Sequence, residues 1–150
     1  MDNINFPSTN EFKILLNGEK FNKIVIICGK SSFKSSGAET FIKNKITKDY
    51  ELFFKESFYP DITELKEIIK FFKKNNPDLI LAIGGGSVLD YAKIANVLFD
   101  SQNLIEEISN FNYKIKRKFA KLVAIPTTAG SGAEVTSNAV IYINKVKYSV

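Results

Sequence analysis

Two short segments carry the residue types able to grip a phosphorylated ligand. Residues 79–90 read Leu-Ile-Leu-Ala-Ile-Gly-Gly-Gly-Ser-Val-Leu-Asp. The apolar run 79–83 is too short for a buried helix, and Pro77-Asp78 marks its start, so it reads as a strand. Gly84, Gly85 and Gly86 are expected to turn the backbone sharply and present N–H groups with no Cβ in the way. Ser87 then opens a helix with Val88, Ala92, Ala95 and Leu98 on its apolar face. Free donors and the positive end of the helix dipole at such a turn suit a phosphate. The alternative is a strand-to-helix turn that merely needs glycines, with Ser87 and Asp90 as an S-x-x-D capping box. Three consecutive glycines exceed what a turn needs, which favours the anion site. The spacing is not G-x-G-x-x-G, so the ordinary dinucleotide fingerprint is absent.

The second segment, residues 122–136, reads Leu-Val-Ala-Ile-Pro-Thr-Thr-Ala-Gly-Ser-Gly-Ala-Glu-Val-Thr. Pro126 is expected to end a strand, and the hydroxyls of Thr127, Thr128, Ser131 and Thr136 follow it. Hydroxyls and exposed amides bond phosphate and ribose oxygens with little steric demand. Taken alone, this composition is that of an ordinary loop.

In this order the two motifs resemble the iron-containing (group III) alcohol dehydrogenase family, whose hallmarks are G-G-G-S-x-x-D and P-T-T-x-G-[ST]-[AG]-[SA]-E-V-T. They stand here as Gly84 to Asp90 and Pro126 to Thr136, with weaker similarity from about Ile24 onward. The resemblance implies an α/β fold: a Rossmann-like parallel sheet flanked by helices, with a C-terminal β-hairpin. It implies that Gly84, Gly85, Gly86, Ser87 and Asp90 hold the pyrophosphate of a nicotinamide cofactor. It places Thr127, Thr128, Ser131 and Thr136 on the nicotinamide side, and Lys147, on the hairpin, within reach of the cofactor. The run Ala139-Val140-Ile141-Tyr142 and Lys147-Tyr148-Ser149 is most similar to the branch containing phosphonoacetaldehyde reductases.

The resemblance also frames the choice between NAD and NADP. NAD-preferring members carry an acidic residue after the first strand, where this chain has Gly29, Lys30, Ser31 and Ser32. A lysine and two hydroxyls suit a 2′-phosphate, which favours NADP over NAD. The competing reading is a solvent-exposed loop with a helix cap. Asp61, in Tyr59-Pro60-Asp61-Ile62-Thr63, replaces an Asn that approaches the cofactor in the family.

The family binds Fe2+ or Zn2+ through one Asp and three His on an all-helical C-terminal domain, whereas this chain has no histidine. Residues 1–150 therefore read as the dinucleotide-binding domain of a longer enzyme, in preference to a stand-alone remnant of that domain, without a metal of its own and inactive by itself. The implied function is hydride transfer between a small alcohol and its aldehyde. Alternatives are a glycerol or polyol-phosphate dehydrogenase, a dehydroquinate-synthase-like relative, or a silent nucleotide-binding module. A homodimer is left open.

Bulk properties suit one domain. With 45% hydrophobic residues, 150 residues can bury one core. The net charge of +5 comes from dispersed lysines. They are expected between the apolar positions of helices and in loops, which argues against nucleic acid. No apolar run approaches a membrane span and no signal peptide precedes Asn10, so the cytoplasm is the expected location. The single cysteine, Cys28, is expected as a buried thiol.

The remaining elements alternate as an α/β unit should. Ile24-Val25-Ile26-Ile27 reads as the first buried strand. Gly29-Lys30-Ser31 is not a P-loop, because Ile24 stands where that motif needs a glycine. A helix is expected from Ser36-Gly37-Ala38-Glu39 towards Ile46, and a strand over 50–54. Asp61 caps a helix with Leu65, Ile68, Ile69 and Phe72 inward and Lys66, Lys70, Lys73 and Lys74 outward. Residues 101–118 read as a looser connection before a strand over 122–125.

Overall fold

A computed structural model describes residues 4–5 and 21–150 of the chain. The reading of the segment ahead of Asn10 lies outside the described residues. Five parallel strands form one sheet: β1 (Ile4–Asn5), β2 (Ile24–Gly29), β3 (Tyr50–Lys55), β4 (Leu79–Gly84) and β5 (Lys121–Pro126), in the order β1-β5-β4-β2-β3. All of β4 is buried, as expected of a central parallel strand covered on both faces.

Alternate residues of the strands feed two cores. Ile24, Ile26, Cys28, Leu79, Leu81, Ile83 and Val123 pack with Phe33 of α1 (Lys30–Ser35) and Ile42 of α2 (Ala38–Lys45). Val25, Ile27, Ile80, Ala82, Leu122 and Ala124 pack with α3 (Ile62–Asn75) and α4 (Gly86–Leu98) on the other face. α3 buries Leu65, Ile68, Ile69 and Phe72 and exposes its four lysines, as its periodicity requires. α4 is buried nearly all round, over residues 88–89 and 91–98.

A hairpin of β6 (Val140–Ile143) and β7 (Val146–Ser149) turns through Asn144 and Lys145, at φ 50 and 66. Two successive left-handed residues match the twist of a two-residue hairpin. The Tyr142 N–H donates to the Pro60 carbonyl at 2.7 Å, tying the hairpin to the start of α3.

Five sequence expectations need correction. Ile24 begins the second strand rather than the first, because β1 pairs with β5 ahead of it in the chain. Lys30 to Ser35 form a helix where a loop was expected, and α5 (Leu104–Ser109) interrupts the loose connection 101–118. Both are six residues long, too short to display a periodicity. The helix expected from Ser36 starts at Ala38, behind Gly37 at φ 77. Ser87 does not open α4: Gly85 is its N-cap and Gly86 its first residue.

Candidate functional site

Strands β2 and β4 are neighbours, yet the chain leaves them towards opposite faces of the sheet. α1 follows β2 onto one core and α4 follows β4 onto the other. Connections that diverge in this way open a crevice beyond the carboxyl ends of the two strands. Gly29 ends β2, Gly84 ends β4, and Gly84 pairs with Pro126 at the end of β5. Both sequence motifs and the Gly29-Lys30-Ser31 segment therefore sit on one edge of the sheet.

Crowding, severe at Gly84 and milder at Gly85 and Gly86, rather than turn conformation marks the three glycines. None of them has a positive φ, and Gly85 is extended at φ −77, ψ −179. A Cβ on Gly84 would fall 2.6 Å from Cγ2 of Val88, inside the core. One on Gly85 would fall 3.1 Å from Oγ1 of Thr128, and one on Gly86 3.2 Å from Cβ of Ser131. The expected sharp turn gives way to a close approach: the second motif lies on the first. Its own glycines do need special backbone, Gly130 at φ 94 and Gly132 at φ 61.

The Thr127 N–H donates to the Gly84 carbonyl at 2.9 Å, joining the two strand ends. Its hydroxyl Oγ1 is buried without a hydrogen-bond partner. Thr128 and Ser131 are exposed, and Ser131 Oγ accepts from the Ala133 N–H at 3.4 Å. Ser87 is half-buried and no side chain caps α4, so the capping-box alternative does not form. The opening turn of α4 keeps the N–H groups that no helical carbonyl reaches. Gly29 is the N-cap of α1, its carbonyl accepting from Ser32 Oγ at 3.2 Å, and Lys30 and Ser31 are exposed in the first turn.

Asp90 faces protein groups. Its carboxylate lies 3.6 Å from the Lys93 ammonium and accepts from the Val140 N–H. Burial pushes its pKa up, against the opposing pull of Lys93, Val140 and the Lys147 charge on β7. Lys147 is exposed. Thr136, also exposed, accepts from Lys93 at 3.3 Å and donates to the Asn138 carbonyl at 3.3 Å. Asp61, which departs from the family pattern, is occupied as the cap of α3, accepting from the Thr63 and Glu64 N–H groups and from Ser57 Oγ.

Sequence reasoning missed three buried polar residues of α4. Tyr91 Oη accepts from the Asp61 N–H at 2.6 Å and donates to the Tyr59 carbonyl at 3.3 Å. The Asn96 amide pairs with both backbone groups of Ala120, at 2.9 and 3.1 Å, and so sets the start of β5. Lys93 is 2% exposed, contrary to the expectation that the lysines are solvated. The available signal was that α4 is apolar on every side, which leaves no wet face for a polar residue.

The profile described as "Iron-containing alcohol dehydrogenase" matches residues 7–150. The chain belongs to the iron-containing alcohol dehydrogenase family. It is 30% identical over 138 residues to the long-chain primary alcohol dehydrogenase AdhA of Thermoanaerobacter ethanolicus, covering 89% of this chain and 34% of that protein. It is 33% identical over 120 residues to the aldehyde-alcohol dehydrogenase of Streptococcus pneumoniae, covering 72% of this chain and 13% of that protein. The sulfoacetaldehyde reductase of Bifidobacterium kashiwanohense, solved with NAD+, superposes with a TM-score of 0.83 at 25% identity, covering 99% of this chain and 40% of that one. The chain thus spans a minor part of the length of each of these relatives.

The residues present fit a dinucleotide better than they fit the family's metal. The buried, unpartnered hydroxyl of Thr127 and the donors of the opening turn of α4 share one strand edge. For iron the donor set is wrong: the sequence has no histidine, and no group of three or more His, Cys, Asp or Glu side chains among the described residues is placed to hold a metal. Among those residues no helix is long and apolar enough to cross a membrane.

Proposed function

We propose that residues 1–150 form the dinucleotide-binding domain of an iron-type alcohol dehydrogenase, taking the nicotinamide cofactor in the crevice between β2 and β4. Seating of the Thr127–Ser131 stretch on Gly85 and Gly86 is the observation that carries this reading. It brings the hydroxyl-rich loop and a helix N-terminus together, a combination of donors that suits an anion. In this reading Gly84, Gly85, Gly86 and Ser87 receive the pyrophosphate, and Asp90 orders the hairpin beside it. Thr127, Thr128, Ser131 and Thr136 line the nicotinamide half, and Lys147 approaches from β7. Bound there, the nicotinamide supplies or accepts the hydride exchanged between a small alcohol and its aldehyde in the cytoplasm. Gly29, Lys30 and Ser31 sit at the adenosine end, where an exposed lysine and hydroxyl favour the 2′-phosphate of NADP.

Titration of the purified chain with NADH and NADPH, followed by cofactor fluorescence, tests the proposal. Saturable binding is expected, and Gly85→Val should weaken it at least about tenfold, or roughly 1.4 kcal/mol, with the circular dichroism unchanged. Equal affinity in a folded Gly85→Val variant would remove the glycine turn from the site.

A further inference from the structure

One charged group inside the molecule has no part in the cofactor reading. Lys93 lies between Ala92 and Ile94 on a helix buried on all sides and is itself 2% exposed. A buried ammonium is unfavourable unless charges and hydrogen bonds replace its water, and an apolar side chain of similar length would fill the same space more cheaply. Its partners show what the charge does. Lys93 Nζ donates to the Asn138 carbonyl at 2.6 Å and to the Thr136 carbonyl and Oγ1 at 3.3 Å each. All three acceptors belong to the irregular stretch that joins the second motif to β6. Asp90, 3.6 Å away, takes the N–H of Val140, the first residue of β6, where that stretch ends. The pair therefore holds this segment from both sides, the lysine by its carbonyls and the carboxylate by its amide. A lysine suits the task because three donors on one long stem reach acceptors that no ladder or helix would satisfy. Burial lowers the pKa of Lys93, while the charges of Asp90 and Glu134 act in the opposite direction.

We propose that Lys93 is a positioning residue for the nicotinamide half of the cleft: by gripping Thr136 and Asn138 it sets where the hydroxyl loop lies over the glycine turn. This rests on the cofactor reading above and adds to it a residue that touches no cofactor. The consequence is a split between the two halves of the ligand. The pyrophosphate turn, Gly84 to Ser87, belongs to β4 and α4 and takes no hydrogen bond from Lys93, whereas the end of the hydroxyl loop, at Thr136 and Asn138, is bound to it directly.

The experiment compares the unaltered chain with Lys93→Met and Lys93→Gln. Affinity is measured for NADH and for ADP, which carries the pyrophosphate but no nicotinamide. Amide hydrogen exchange is followed by mass spectrometry without ligand. In both variants NADH affinity should fall about tenfold, the scale of one lost charge-assisted hydrogen bond, while ADP affinity stays within about twofold. Exchange over residues 134–140 should rise while β2 to β5 remain protected. Unchanged exchange over 134–140, or equal losses for ADP and NADH, would overturn the role of Lys93. Failure of the unaltered chain to bind either ligand would instead remove the cofactor reading. The exchange of 134–140 would then decide by itself whether Lys93 holds the loop.

Discussion

Gly86 and Ser131 approach so closely that a Cβ on the glycine would lie 3.2 Å from the serine Cβ. With Gly85 similarly placed against Thr128, the two motifs form one surface. Their glycines answer to three neighbours, Val88, Thr128 and Ser131, and the first of these is in the core.

That difference separates Gly84 from the rest. Gly84→Ala should lower stability by about 1–3 kcal/mol, because the added methyl meets Val88 2.6 Å away in packed surroundings. Combining it with Val88→Ala should recover part of that loss. Urea unfolding of the two single variants and the double variant measures the coupling, and strict additivity would show that the clash relaxes elsewhere.

Cofactor choice should follow the first turn of α1. Lys30→Ala is expected to weaken NADPH binding and leave NADH binding nearly unchanged, since only the former carries the 2′-phosphate. Parallel titrations suffice. An unaltered chain that prefers NADH would set aside the role of Lys30 and Ser31.

Asp61 links the start of α3 to acid stability. Burial alone would raise its pKa, but hydrogen bonds from Ser57, Glu64 and Thr63 outweigh this and hold it below its ordinary 3.8. A carboxylate whose pKa is lowered by folding stabilises above its unfolded value and loses that contribution as pH falls through the folded one. The loss should therefore lie below about pH 4. Asp61→Ala should cost about 1 kcal/mol at neutral pH through the missing cap. Asp61→Asn should keep most of the cap and flatten the acid limb of a melting-temperature profile.

Cys28 gives the corresponding alkaline test. Burial, reinforced by the Glu39 charge, pushes its thiol from 9.0 up to about 12. The native thiol should resist a disulfide reagent at pH 8 and react only on unfolding. Because the folded pKa is the higher one, its contribution is complete below pH 9 and drains away towards pH 12. In that interval Cys28→Ala, although less stable through lost packing, should lose stability with pH less steeply than the unaltered chain.

Some of this molecule was legible in the chain because its causes are local. The β4 strand, the Asp61 cap, the apolar stripe of α3 and the glycine and hydroxyl motifs each express backbone chemistry within a few residues. The β6–β7 hairpin came instead from the family likeness. Tertiary structure decided the rest. Two six-residue helices, α1 and α5, carry too few turns for a hydrophobic period and form where the chain packs against a neighbour. Gly85 and Gly86 resemble turn residues in sequence, yet what a side chain there would meet is set by Thr128 and Ser131, more than forty positions along. Lys93 and Asp90 are ordinary surface charges by composition. They are drawn inside because α4 is wrapped by sheet, helix and hairpin at once, and only the folded chain brings the carbonyls of Thr136 and Asn138 to meet the ammonium. Short-range patterns reveal which residues prefer which backbone, while the identity of each buried partner depends on contacts that exist only after collapse.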